Sequence, residues 1–171
     1  MQLMTQIITE NDQHNVTRID RRLRDQPDDD GPTISVACSP LVAPGSYRLG
    51  FVGYRTALVY RKAPKVALMF RIIDQGKYFE TELCRWYNVK RIIGQPGKSG
   101  KFQIGRYSDF LREYLTLFPD AADRLDRISF KPYRSNVITG RIETVTRNSR
   151  QQPLPALMQY SIIRELLGVG A

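Results

Sequence analysis

From residue 34 onward apolar and polar positions alternate along the chain; before it they do not. GSYRLGFVGYRTALVYR sets Tyr47, Leu49 and Phe51 on one face and Arg48, Val52 and Tyr54 on the other, the period-2 pattern of a strand with one wet side. KVALMFRII is the most apolar run, with Val66, Leu68, Phe70 and Ile72 sharing a face, and is short enough to be a central strand. DQGKY closes it with a turn, and ETELCRWYNV is the next strand. TISVACSPLVAPG, upstream, reads as an edge strand limited by Pro40 and Pro44. Beyond the third long strand, glycine and proline in IGQPGKSGKFQIG forbid regular structure. The pattern then switches to helical spacing: Phe110, Leu111, Tyr114, Leu115 and Phe118 form a stripe, with Ser108 as N-cap and Pro119 past the end. DAADRLDRI reads as a second short helix. NVITGRIETVTR is a strand, NSRQQP a loop, and ALMQYSIIRELL a final strand through Ile163.

This order predicts a mainly β fold, an OB-like five-stranded small barrel with an α-helix inserted between its third and fourth strands. Residues 1–33 predict a flexible polar N-terminal arm, because their composition buries too little to offset the entropy of ordering. Residues 34–171 form the predicted OB-like nucleic-acid-binding domain, and 171 residues suffice for one proper core.

Charge narrows the class of partner. The chain is +9 overall, with seven acids and four bases in residues 1–33 against ten acids and 22 bases in residues 34–171. A domain that basic attracts polyanions, and arginine, which dominates here, favours phosphate and base stacking. No apolar run approaches membrane-spanning length, and the N-terminus lacks the pattern of a secretory signal, so a cytoplasmic location and no membrane partner are expected. Cys38 and Cys84 make no disulfide framework, and two cysteines with the single His14 make no structural zinc site. No cofactor and no catalytic residue are expected. Asp120, Asp123 and Asp126 are explained by helix-start acids and pairs with Arg124 and Arg127, and no Ser–His or Cys–His arrangement is credible.

The strongest chemical signal is LCRWYNVKRI. From Arg85 to Arg106 the cations are Arg85, Lys90, Arg91, Lys98, Lys101 and Arg106, with no acid among them, and Trp86, Tyr87 and Phe102 lie between. Cations along a backbone and aromatic rings under bases are how single strands are held. Alternation puts Leu83, Arg85, Tyr87 and Val89 on one face and Cys84, Trp86 and Asn88 on the other. Trp86, the only tryptophan, travels with a burial-prone cysteine, so the core claims it as strongly as a ligand does; Tyr87 with Arg85 makes the alternative exposed pair. GKSGK lacks the spacing and following helix of a nucleotide-binding phosphate loop, and reads as a flexible basic loop closing over a strand. Tyr54 and Tyr60, with Arg55, Arg61 and Lys62 in GYRTALVYRKAPK, are expected on the rim of the same groove, the alternative being that these strand tyrosines are half-buried scaffolding.

APGSYRLGFVGYRTA, KVALMFRIID, ELCRWYNVK and SDFLREYLTLFP resemble the single-strand-binding-like OB-fold proteins carried by phages, plasmids and integrative elements. The resemblance covers about residues 42–167. It implies an OB fold and single-stranded DNA binding with little sequence specificity, in replication, recombination or transfer of a mobile element. The chain ends RELLGVGA, without the acidic tail by which cellular bacterial relatives recruit partners. Single-stranded DNA, with RNA as a variant, is thus the expected partner. A homo-oligomer is compatible with it, through an edge strand at residues 34–42. The alternative expectation is a protein-interaction module, an inhibitor or assembly factor acting on a nucleic-acid-bearing complex.

Overall fold

A computed structural model describes residues 41–60, 62–121 and 128–170. Among the described residues seven strands carry the fold: β1 (Gly45–Val59), β2 (Ala63–Ile72), β3 (Glu82–Asn88), β4 (Arg91–Ile93), β5 (Lys101–Gln103), β6 (Ile138–Val145) and β7 (Tyr160–Val169). Helix α1 (Asp109–Leu117) joins β5 to the second half of the molecule, and the short α2 (Lys131–Ser135) precedes β6. The three long alternating runs and the last two strands form one antiparallel sheet in the order β3-β2-β1-β6-β7. Ser108 caps α1, its hydroxyl accepting from Leu111 N at 3.3 Å.

Three sequence expectations change. The glycine-rich segment is framed by regular structure, a small β4–β5 hairpin. A helix forms at residues 131–135, whereas most of DAADRLDRI lies outside the described residues, as do residues 1–40 and most of the expected edge strand. What is described of that strand, residues 41–44, is not strand; Val42 is buried and held by Ser161, whose hydroxyl accepts from Val42 N and donates to Val42 O. Among the described residues no helix is long and apolar enough to cross a membrane.

β1 does two jobs. Its first third pairs with β6, from Gly45 opposite Ile142 to Leu49 opposite Ile138, and the remainder pairs with β2. A bulge between Phe51 and Gly53 shifts the register by one residue, bending the strand and exchanging its faces. Tyr54, expected opposite Phe51, therefore joins it on the inner side. Inside, Leu49, Val66, Leu68, Phe70, Ile72, Leu83, Ile138, Ile142 and Ile163 form the core, closed from below by Phe110, Tyr114 and Tyr133 of the helices.

The sheet is not closed by hydrogen bonds, so the expected barrel is incomplete as a ladder. Its edge strands β3 and β7 nevertheless come together. Glu113 of α1 fills the seam between them. One carboxylate oxygen accepts from Arg85 Nη2 at 3.0 Å and Tyr87 Oη at 2.9 Å, both on β3; the other accepts from Leu166 N of β7 at 2.6 Å.

Candidate nucleic-acid interface

Alternation along β3 is as the sequence reads, but the inner face is the one bearing Arg85 and Tyr87. Tyr87 is 3% exposed and packs edge-on against Phe110. Burial, with Glu113 beside it, pushes its phenol far above the ordinary range. Burial works against charge on Arg85, but Glu113 and the hydrogen bonds outweigh it and the guanidinium holds its proton more firmly than usual. The expected exposed pair of Arg85 and Tyr87 is thus corrected: both are committed inward to one carboxylate. Phe102 and Tyr54 are corrected likewise. Their rings meet at 5.8 Å, and Tyr54 stacks on Phe130 at 4.3 Å, within the aromatic cluster under the sheet.

The outer face is assembled from cross-strand rows. Arg55 of β1, Ala67 of β2 and Trp86 of β3 are in register. Ala67 is too small to separate its neighbours: the Arg55 guanidinium lies 5.5 Å from the centroid of the Trp86 ring, and Ala67 between them is fully buried. Trp86 is half-buried. The preceding row is Gly53, Met69 and Cys84; the following one is Ala57, Lys65 and Asn88. Burial pushes the Cys84 thiol up, partly offset by Arg55.

The glycine-rich loop walls this face. It is docked on the edge of β1 that β6 has left, and is not a free flap. Thr56 N donates to Gly97 O at 2.9 Å, Gly97 N to Thr56 Oγ1 at 3.1 Å, and Ser99 N to Tyr54 O at 3.0 Å. Gly100 is required there because a Cβ would run into Thr56 Oγ1. Between loop and sheet lies an open groove of about 940 Å³ whose lining includes the apolar Val52, Leu58 and Met69, Trp86 and Pro96, and the cations Arg55 and Lys98. Glu82 also lines it, but its carboxylate is held by Arg71 at 2.7 Å. Among the described residues the ion pairs are made by Arg48, Arg71, Arg85, Arg112, Arg141 and Arg164. Arg55 and Lys98 are left to face the groove.

Lys90, Arg91, Lys98, Lys101 and Arg106 are all exposed, and Arg61 lies outside the described residues. Lys90 and Arg91 sit where the chain turns from β3 to β4, tied to the start of β2 by Val89 N donating to Pro64 O at 3.1 Å. Lys101 is on β5, and Arg106 precedes α1. Of the candidate rim residues, Arg55 lies beside Trp86 and Tyr60 has a fully exposed ring, at 92%; Tyr107, at 87%, is an exposed ring that the sequence did not single out. Among the described residues no three His, Cys, Asp or Glu side chains come together as a metal site would need.

Compared with protein-family models, with curated proteins and with solved structures, the chain matches none of them.

Proposed function

We propose that this protein binds single-stranded DNA, with little sequence preference, on the outer face of β1, β2 and β3. The observation that carries the reading is Trp86 beside Arg55 at a groove that Lys98 also lines and whose cations have no acidic partner among the described residues. A half-exposed indole next to unpaired cations suits a base above a phosphate, and stacking of that kind is indifferent to base identity. The frame agrees with an OB-like fold: a bent first strand paired on both edges, and a helix between the third and fourth long strands. The resemblance to proteins of phages, plasmids and integrative elements gives the role, the handling of single strands during element replication, recombination or transfer.

The protein-interaction reading has one observation in its favour. Leu157 and Met158, in the 3₁₀ turn before β7, are 96% and 61% exposed, and Leu167 on β7 is 46% exposed. Fluorescence anisotropy of a labelled oligo-dT about 30 nucleotides long, at two salt concentrations and with Trp86 emission recorded, separates the two. Salt-sensitive binding with Trp86 quenching, and weaker binding to a duplex, supports the proposal. Absence of binding at low salt removes it and leaves the apolar surface as the functional one.

A further inference from the structure

A second exposed aromatic ring stands in the turn beyond the end of β1. β1 turns into β2 at residues 60–62, closed by Lys62 N donating to Val59 O at 3.2 Å. Tyr60 occupies this turn with φ 52°, in the left-handed region that suits glycine and penalises a bulky side chain, and its ring is 92% exposed. The ring neither fills the core nor appears among the aromatic contacts of the described residues. A strained, solvent-facing tyrosine is retained at a position where glycine would fold more easily.

Its surroundings are cationic. Lys62 is in the turn, Lys65 is three residues into the β2 run and opposite Asn88, and Lys90 and Arg91 are brought to the start of β2 by the Val89–Pro64 hydrogen bond. None of these four makes an ion pair among the described residues. The row of Lys65 is the next one along the outer face from that of Arg55 and Trp86. Five residues separate Arg55 from Tyr60, about 17 Å at the rise of a strand.

We infer that Tyr60, with Lys62, Lys90 and Arg91, is a second base-stacking platform, and that one DNA strand reaches from Trp86 on β3 to Tyr60 at the β1–β2 turn. This rests on the proposed single-strand binding. At the 3.4 Å spacing of stacked nucleotides the run from Arg55 to Tyr60 spans about five nucleotides, and fewer if the strand is stretched.

Two experiments test it. Tyr60→Gly removes the ring and relieves the backbone, so the thermal midpoint should hold or rise while affinity for oligo-dT falls roughly tenfold. Tyr60→Phe should bind as the parent does. A merely structural tyrosine gives another pattern, unchanged affinity in Tyr60→Gly, and that result overturns the inference. In the second, an oligo-dT trimmed to the shortest length that still binds, so that it seats in one register, carries one photoreactive 5-bromouracil at successive positions and is cross-linked to the intact protein. Links to Trp86 and Tyr60 should come from positions a constant offset apart. Links to Trp86 without any to Tyr60 overturn the second platform and leave the proposed function standing. A parent protein that binds no oligonucleotide removes both.

Discussion

Arg85 and Glu113 are bonded across the hollow of the sheet, Nε and Nη2 donating to Oε2 at 3.3 and 3.0 Å, with their side chains 21% and 12% exposed. Removing one partner leaves the other charge in a poorly hydrated place, the costly way to break a buried pair. Glu113→Ala should therefore lower stability by about 3–5 kcal/mol in urea unfolding, whereas a double replacement by apolar residues, Arg85→Met with Glu113→Leu, should recover much of that. A loss below about 1 kcal/mol in Glu113→Ala would show the seam to be held by packing alone.

Arg55 covers the Trp86 ring in the unbound protein. A stacking base has to take that place, sending the guanidinium to a phosphate. Arg55→Ala should shift free Trp86 emission to the red and keep the quenching by oligo-dT. It should also flatten the logarithmic salt dependence by about 0.7, the value of one phosphate contact on a single strand. Arg85→Lys should leave that slope unchanged; a slope that responds to Arg85 would contradict its inward assignment.

Cys84 shares the outer face with Trp86, and its thiol is held above its ordinary range chiefly by burial. Less thiolate is then present at pH 8, so alkylation should be slow there and accelerate as pH rises toward 10. Peptide mapping after alkylation, which separates Cys84 from Cys38, reads this directly. Saturating oligo-dT should slow modification at Cys84; equal rates with and without DNA would place the strand elsewhere.

Gly100 lets the loop lie on β1. Gly100→Ala forces the loop away from Thr56 and should cost about 1–3 kcal/mol. It should also weaken oligonucleotide binding more than Lys98→Ala does, because the whole groove wall moves. An affinity unaffected by Gly100→Ala would mean that the wall is dispensable.

Asp74 accepts from Arg48 twice, from the side chain and from the backbone N–H, each at 2.7 Å. The side-chain bond foremost, then the backbone one, holds its carboxyl below the usual range. A depressed folded value means that the contribution is complete above the unfolded pKa near 3.9 and is lost as pH falls through the folded one. The pair is largely solvated, so the effect is under about 1 kcal/mol. Asp74→Asn should be slightly less stable than the parent at pH 7, and the two should converge near pH 2. A gap that persists in acid would assign the loss to the backbone bond.

The alternation of β1, β2, β3, β6 and β7 and the capped helix α1 were legible because each depends on neighbours in the chain: Val66, Leu68, Phe70 and Ile72 declare a face, and Ser108 declares a helix start. Which face of β3 points inward was not legible. Period 2 sorts Arg85 and Tyr87 from Trp86 but is symmetric between the two sides. The choice is made by Glu113, more than 25 residues away, which gives the inner pair its partner. Tyr54 was misplaced for a related reason: Val52 is an extra residue in β1, between Phe51 and Gly53, and alternation counts straight through a bulge. The docked loop depends on Thr56 and Gly97 meeting across 41 positions, which local composition cannot express.

An open sheet has two free edges, each a template on which another chain can add. Here both edges are turned toward each other, and the same helical carboxylate that joins them occupies a backbone donor of β7. Opening the seam would expose two sticky strand margins at once. Glu113 thus guards against strand exchange between copies, and a variant that loses it should be found first as aggregate.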